Sequence, residues 1–356
     1  MTHGADRFLP VAPDSRSASP LVAELADRIE RSLAELLERG RPVALINFPN
    51  HANPGDNAIW LGTQAALRGI GVPVGYAAGP SSFDAAAMRD AVGDGPLLLN
   101  GGGNFGDLYS GQQDLRERVL AECRDRRIVQ LPQSIAFRDL RNAARMRRLC
   151  AAHPDFTLLV RERRSYELAC RLFEPPPRLV PDMAFALRRL DVPTRVVHDT
   201  LWLLRDDAER VAREPSPREL TTDWTLHEPA ARLSARARLA VALKGRLEDH
   251  AHAHASDAGR RRLALGWTLD QVAQAWVRRG AELVGSSRVL VTDRLHAHAF
   301  ALLLGVPHVV LDNSYGKVRS TFETWTGRSE LVRWADSTAE ARDAAARLLA
   351  RTYAGA

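Results

Sequence analysis

Residues 288–319 read RVLVTDRLHAHAFALLLGVPHVVLDNSYGKVR, and this stretch decides the fold. Val289–Val291 is a short β-branched and aliphatic run, the pattern of a buried strand. Thr292 and Asp293 are helix-capping residue types, and an apolar helical segment runs from Ala297 to Leu304. Gly305 stops that helix and Pro307 prevents its return. Val309–Leu311 is the next strand, so the unit is strand, helix, strand with parallel strands.

Arg294 and His296 fall in the first turn of this helix, where backbone N–H groups lack helical partners and the helix dipole is positive. Such a position suits an anion. Asn313, Tyr315, Lys317 and Arg319 follow the second strand. In a parallel sheet both groups lie at the carboxyl edge and face one crevice. Together they form a cationic pocket for a phosphorylated, multiply charged small molecule. The competing reading is structural, with Arg294 capping a neighbouring strand and His296 a satisfied, half-buried histidine.

The upstream chain repeats the pattern. Leu21–Arg39 has helical apolar spacing, and Val43–Phe48 is a strand. Residues 49–57 (PNHANPGDN) form a turn-rich loop, with a helix following from Ala58. Leu97–Asn100 runs into GGGNFGD, residues 101–107. Strand Ile128–Leu131 ends in Pro132-Gln133-Ser134, strand Thr157–Val160 in RERRS, and Leu179-Val180 in Pro181-Asp182. All these polar motifs belong on one edge of one parallel sheet. Gly101, Gly103 and Gly106 spell G-x-G-x-x-G, which raises a dinucleotide-binding reading. That reading requires an acidic residue about 20 positions on, at the end of the next strand. Pro132-Gln133-Ser134 stands there instead, so the second half of the fingerprint is missing.

Composition narrows the class. A chain of 356 residues is long for one core, and the charged, aperiodic stretch Leu187–Thr200 is the expected boundary. Hydrophobic content of 45% and charged content of 26% are ordinary for a soluble globular protein. The net charge of +6 is scattered and arginine-rich, which favours anionic substrates or at most peripheral contact with an anionic membrane. No zinc-ligand spacing, RNP pattern or basic zipper points to nucleic acid. Cys123, Cys150 and Cys170 are odd in number and form no C-x-x-C pair, as in reduced cytosolic proteins. No apolar run approaches the roughly 18–20 residues of a membrane span. His250, His252 and His254 alternate with alanine, and only the first and last share a helical face. Residues 112–127 and 138–152 read as arginine-rich helices with solvated outer faces. Residues 229–249 read as a long helix whose basic face leaves interfacial binding open, and Thr338–Arg351 as a helix that packs across the domain junction.

Six motifs in order complete the pattern: Asn53-Pro54-Gly55-Asp56, GGGNFGD, Gln133-Ser134-Ile135, V-R-E-R-x-S at 160–165, P-D-M-A-F at 181–185, and D-R-L-H with the later Lys317. From about Asn47 to about Trp325 the chain resembles the polysaccharide pyruvyl transferase family. The His-rich segment and the first forty residues depart from the pattern. The resemblance implies an α/β fold of two Rossmann-like domains facing a central cleft, as in GT-B glycosyltransferases. Its parts would be a loose arm (1–19), an acceptor-side domain (20–190) and a donor-side domain (200–356). It implies phosphoenolpyruvate as co-substrate, a hexose diol on a lipid-linked or polymeric glycan as acceptor, and a cyclic pyruvate ketal as product. The protein would work in the cytoplasm or at the inner face of the plasma membrane, without redox cofactor or metal.

On this reading Arg161, Arg294, His296, Lys317, Asn313 and Ser314 bind the donor, with arginines gripping carboxylate and phosphate bidentately. His296 is the general acid, its pKa raised by the bound trianion, and Asp56 or Asp107 the general base. Asn53, Gly55, Asp56, Asn57, Gly102, Gly103, Asn104, Asp107, Gln133 and Ser134 line the acceptor side. Two alternatives stay open. A GT-B nucleotide-sugar glycosyltransferase would use Asp312 or Glu323 for the ribose diol, and a non-catalytic anion-binding protein would bind without turnover.

Overall fold

The computed structural model describes residues 19–206, 211, 221–224, 238–244 and 258–354. The first half carries strands β1 (Val43–Ile46), β2 (Val74–Ala78), β3 (Leu97–Leu99), β4 (Gly102–Gly106), β5 (Ile128–Ala136), β6 (Phe156–Val160) and β7 (Arg178–Leu179). Around them lie helices α1 (Pro20–Ala34), α2 (Pro54–Gly69), α3 (Ala85–Val92), α4 (Ser110–Glu122), α5 (Leu140–Ala152) and α6 (Arg163–Leu172). A 3₁₀ turn, Met183–Leu187, leads to the second half. There strands β8 (His198–Leu203), β9 (Thr221–Thr222), β10 (Ser287–Thr292), β11 (His308–Val310) and β12 (Val332–Trp334) are accompanied by α7 (residues 238–244), α8 (Ala258–Gly285), α9 (Leu295–Leu304), α10 (Lys317–Thr321) and α11 (Thr338–Ala354).

The strands form two parallel sheets, ordered β2-β1-β3-β5-β6-β7 with β4 beside β5, and β12-β11-β10-β8-β9. This is an α/β fold of two Rossmann-like halves. Strand β1 (VALI) is buried throughout, as expected where helices cover both faces of a parallel sheet. Strand order reverses at β1/β3 in the first sheet and at β8/β10 in the second. Ligand crevices of open α/β sheets form outside the carboxyl ends of the strands at such reversals. Here those ends carry residues 47–56 and 100–103 in one half, and Asp293–His296 in the other.

A continuous apolar core joins the halves. Leu25 and Ile29 of α1, Trp60 of α2, Phe185 of the 3₁₀ turn, Val277 of α8 and Phe300 of α9 belong to one buried cluster. Trp60 Nε1 donates to Asp270 Oδ1 at 3.0 Å, and Gln64 donates to the same oxygen. Burial raises the Asp270 carboxyl pKa, and these two bonds offset the rise only in part.

Several elements differ from the sequence reading. GGGNFGD is not a loop: Gly102–Gly106 pair with β5, which continues past Leu131 through PQS to Ala136. Helix α2 starts at Pro54, placing Gly55, Asp56 and Asn57 in its first turn. Helix α4 is not merely a solvated face, because Arg116 is 1% exposed. Its guanidinium donates to Gln130 Oε1 and Gln113 Oε1, both at 2.7 Å, and to Asn104 Oδ1 at 2.8 Å. Burial pulls its pKa down to about 9. Helix α11 packs on the second sheet's own face, Ala341, Ala345 and Leu348 sharing a cluster with Val289, Val291 and Val309. Of the predicted helix over 229–249, residues 238–244 are described and helical; residues 1–18 of the arm and His250, His252 and His254 lie outside the described residues.

A buried histidine pair underlies α9. His308 Nδ1 donates to the Val306 carbonyl at 2.8 Å, because a carbonyl can only accept. With both rings neutral, His308 Nε2 then accepts from His298 Nδ1 at 2.7 Å, and His298 Nε2 accepts from the Thr326 hydroxyl at 2.8 Å. Burial pushes His308 down to about 4 and His298 well below its ordinary value. A depressed histidine contributes stability that is complete above its unfolded pKa near 6.5 and lost as pH falls toward the folded value. Unfolding free energy should drop between pH 6.5 and 4, by about 3 kcal/mol from His308 alone. Urea midpoints measured across that range check this, and a His308→Gln variant should flatten the slope.

Candidate functional site

Three side chains from separate elements converge between the sheets. Arg161 directly follows β6 and is 1% exposed. Asp182 follows β7 and caps the 3₁₀ turn, its Oδ1 accepting the Ala184 N–H at 2.9 Å. His296 is the second residue of α9, in the other half. Arg161 Nη1 donates to Asp182 Oδ2 at 2.6 Å. His296 Nε2 lies 3.5 Å from the same oxygen and 3.4 Å from Arg161 Nη1.

Arg161 is held on a second edge as well. Its Nε donates to Ser134 Oγ at 2.8 Å, and Ser134 donates to Glu162 Oε2 at 2.9 Å. Nη2 has no hydrogen-bond partner among the described residues. Burial alone would raise the Asp182 carboxyl, but the His296 bond and the Arg161 charge outweigh it and hold it well below the usual carboxylate range. Burial would likewise lower Arg161, and Asp182 and Glu162 reverse the sign. For Glu162 burial wins and the pKa is raised, despite Arg161, Ser165, Ser134 and Lys317.

Two glycines make the close approaches possible. A Cβ on Gly55 would lie 2.1 Å from His296 Nδ1, so α2 meets the imidazole only because residue 55 lacks a side chain. A Cβ on Gly103 would lie 3.0 Å from Arg161 Nη2 and 3.8 Å from Lys317 Nζ. Two cationic groups thus point at the space over Gly103. Lys317 opens α10, where its N–H donates to Asn313 Oδ1 at 3.1 Å. Trp325 Nε1 donates to the Arg161 carbonyl at 2.7 Å, and Arg164 bonds the Tyr315 carbonyl, so α10 and its neighbours dock on the start of α6.

Asp56 completes the rim. Its Oδ2 accepts from Asn53 Nδ2 at 2.9 Å and lies 3.5 Å from His51 Nε2, while Oδ1 faces Gly102. Asn53 caps α2 through the Gly55 N–H. The remaining predicted residues have other duties. Asn57 is fully buried and its Nδ2 ties the His51 and Asn53 carbonyls together. Gln133 donates to the Asn100 carbonyl and to Asn104 Oδ1, which also takes Arg116. Asp107 accepts the Arg138 and Asp139 N–H groups at 2.8 Å each and Asn142 at 3.2 Å, which fixes the entry to α5 and takes its carboxylate away from the role of base. Arg294 is the N-cap of α9 and is 3% exposed, ion-paired with buried Asp223 and 5.9 Å from the Trp224 ring centre. Ser314 is exposed on the loop before α10.

Asp182, Glu162 and Asp223 were not singled out from sequence, although Asp182 ends a strand in a Pro-Asp pair and Glu162 sits in RERRS. A carboxylate after a strand looks the same whether it caps a turn or faces a ligand. Among the described residues no three His, Cys, Asp or Glu groups are placed to hold a metal ion, and no helix is long and apolar enough to cross a membrane.

Residues 53–315 match the family model described as polysaccharide pyruvyl transferase. Pyruvyl transferase 1 of Schizosaccharomyces pombe is 32% identical over 309 residues, covering 80% of this chain and 70% of the relative. EpsO of Bacillus subtilis, which carries a provisional pyruvyl transferase name, is 28% identical over 82% of this chain and 88% of its own. A crystal structure of a functionally uncharacterised Klebsiella pneumoniae protein superposes with a TM-score of 0.54 at 16% identity, over 88% of this chain and 98% of that one, a likeness of fold. With a family model matching residues 53–315 and a relative of this identity, the chain belongs to the polysaccharide pyruvyl transferase family.

Proposed function

We propose that the protein transfers the pyruvyl group of phosphoenolpyruvate onto two hydroxyls of a hexose, forming a cyclic ketal. The observation that carries this reading is the convergence of Arg161 Nη2 and Lys317 Nζ over Gly103. Serine and aspartate occupy Nε and Nη1 of the guanidinium, so Nη2 is the edge left for an anion. A planar fork beside an ammonium group matches a phosphate or carboxylate.

His296 protonates the methylene carbon of the donor, and an oxocarbenium-like centre forms at the adjacent carbon. One sugar hydroxyl adds there and loses its proton to Asp56. The carbon–oxygen bond to phosphate breaks, the second hydroxyl closes the ring, and phosphate leaves. Of the two hydroxyl protons released, one replaces the proton that His296 gave to the new methyl group and the other leaves on the phosphate. The acceptor is a lipid-linked or polymeric glycan, met in the cytoplasm or at the inner face of the plasma membrane. In the glycosyltransferase alternative Asp312 would hold a ribose, but its Oδ1 accepts the Asn313 and Arg319 N–H groups.

A ligand that binds only the folded protein raises its stability, by about 2.7 kcal/mol at a hundredfold excess over Kd. Phosphoenolpyruvate should raise the melting temperature clearly, and UDP-sugars and NAD should not. Gly103→Ala, which puts a methyl group where the anion would sit, should abolish most of that shift. An equal shift in the variant would move the donor elsewhere, and a shift with UDP-sugars alone would favour glycosyl transfer.

A further inference from the structure

Resting on the reading of Arg161 as the anion grip, we propose that Glu162 is a positioning residue of that grip. Acting through the Ser134 hydroxyl, it fixes the guanidinium so that Nη2 is presented over Gly103.

The hydrogen bonds around Glu162 run one way. A guanidinium nitrogen only donates, so Arg161 Nε donates to Ser134 Oγ at 2.8 Å and the hydroxyl oxygen must accept. The one hydrogen of that hydroxyl goes to Glu162 Oε2 at 2.9 Å. On the other side the Ile135 N–H donates to Ser165 Oγ at 2.8 Å, and Ser165 donates its hydrogen to Glu162 Oε1. Both carboxylate oxygens therefore accept, the pattern of an ionised group. A lone serine hydroxyl is a free rotor, whereas one tied to a carboxylate keeps its lone pair aimed. Here the aim is at Arg161 Nε. With Nε held by Ser134 and Nη1 by Asp182, the planar guanidinium has no rotation left, and its third nitrogen is set over Gly103.

The position of Glu162 supports this assignment. It is the N-cap of α6, where a side-chain oxygen can accept a first-turn N–H, yet its side chain makes no such bond. Those N–H groups are taken from the second half: Arg163 N–H donates to Thr324 Oγ1 at 3.2 Å and Arg164 N–H to Ser320 Oγ at 3.1 Å. The carboxylate is thereby left for the two serines. Glu162 is buried, and its Oε2 lies 3.8 Å from Arg161 Nε, too far for a direct hydrogen bond. Ser134 fills that gap. Without the serine oxygen, Nε turns toward the carboxylate and carries Nη2 off Gly103.

Calorimetric titration of inorganic phosphate and of phosphoenolpyruvate into the full-length protein tests this. Ser134→Ala removes one oxygen and no charge, and should raise both Kd values about tenfold, the cost of ordering a freed side chain on binding. In turnover, KM for phosphoenolpyruvate should rise by the same factor while kcat stays within about threefold. Glu162→Ala gives opposite signs for the two roles. A bystander carboxylate, once removed, leaves a tighter phosphate site, whereas the relay predicts a weaker one. Unchanged phosphate affinity in Ser134→Ala overturns the assignment, as does tighter binding in Glu162→Ala. A fall in kcat with KM unmoved in Ser134→Ala marks a merely structural role and overturns it as well. The serine variant keeps the test open where Glu162→Ala folds poorly. Phosphate titration needs no transfer, so its failure is distinct from failure of pyruvyl transfer, which phosphate release from phosphoenolpyruvate reports.

Discussion

His296→Gln should lower turnover by roughly 10²–10⁴-fold, the usual share of general acid–base catalysis, while phosphoenolpyruvate still binds. Glutamine keeps a hydrogen-bond donor near Asp182 and fits against Gly55, but carries no transferable proton. The donor should remain gripped by Arg161 and Lys317, because Ser134 and Asp182 still hold the Arg161 guanidinium. In D₂O the wild-type product methyl should carry one solvent deuterium, and the residual product of the variant should form at the reduced rate. Normal turnover in His296→Gln, together with loss of methyl deuteration in Lys317→Ala, would make His296 an anion ligand and put the acid elsewhere.

Arg161→Leu should destabilise the fold by about 3–5 kcal/mol, the cost of breaking a buried ion pair by removing one partner. Both Arg161 and Asp182 are almost fully buried, so the carboxylate left behind has neither water nor a full charge partner. The double variant Arg161→Leu with Asp182→Asn should recover much of that loss, because the stranded charge is gone. Neither variant should show a melting shift with phosphoenolpyruvate. Chemical unfolding of the wild type, Arg161→Leu, Asp182→Asn and the double variant gives the coupling, and a loss below about 1 kcal/mol in Arg161→Leu would mean that water reaches Asp182.

Much of the fold was legible because strand, cap, helix and stop follow one another within thirty residues at 288–319. The parallel sheets and the polar residues at their carboxyl edges follow from that grammar. What a linear reading cannot show is which polar side chain turns inward. Arg116 lies in a stretch rich in arginine, yet oxygens of Gln113 on its own helix, Asn104 of β4 and Gln130 of β5 draw it into the core. The Gly-rich run carries the spacing of a dinucleotide fingerprint without its second half, and its pairing with β5 depends on a strand extended by residues 132–136, which contain a proline. Arg161, His296 and Lys317 were named from sequence and stand together. Asp182, which joins Arg161 to His296, depends on a contact between residues 114 positions apart. Asp107 and Asn57 read like ligand-facing residues but spend their hydrogen bonds on the backbone of neighbouring turns.

The most direct measurement is incubation of the protein with phosphoenolpyruvate and a panel of aryl hexosides that present 4,6- or 3,4-diols. Phosphate release and product mass should be followed together. Pyruvyl transfer predicts one phosphate for each product, a mass increase of one ketal-linked pyruvyl group, and loss of both signals in His296→Gln. Binding of phosphoenolpyruvate with no phosphate release from any diol, alongside transfer of sugar from a nucleotide donor, would contradict it.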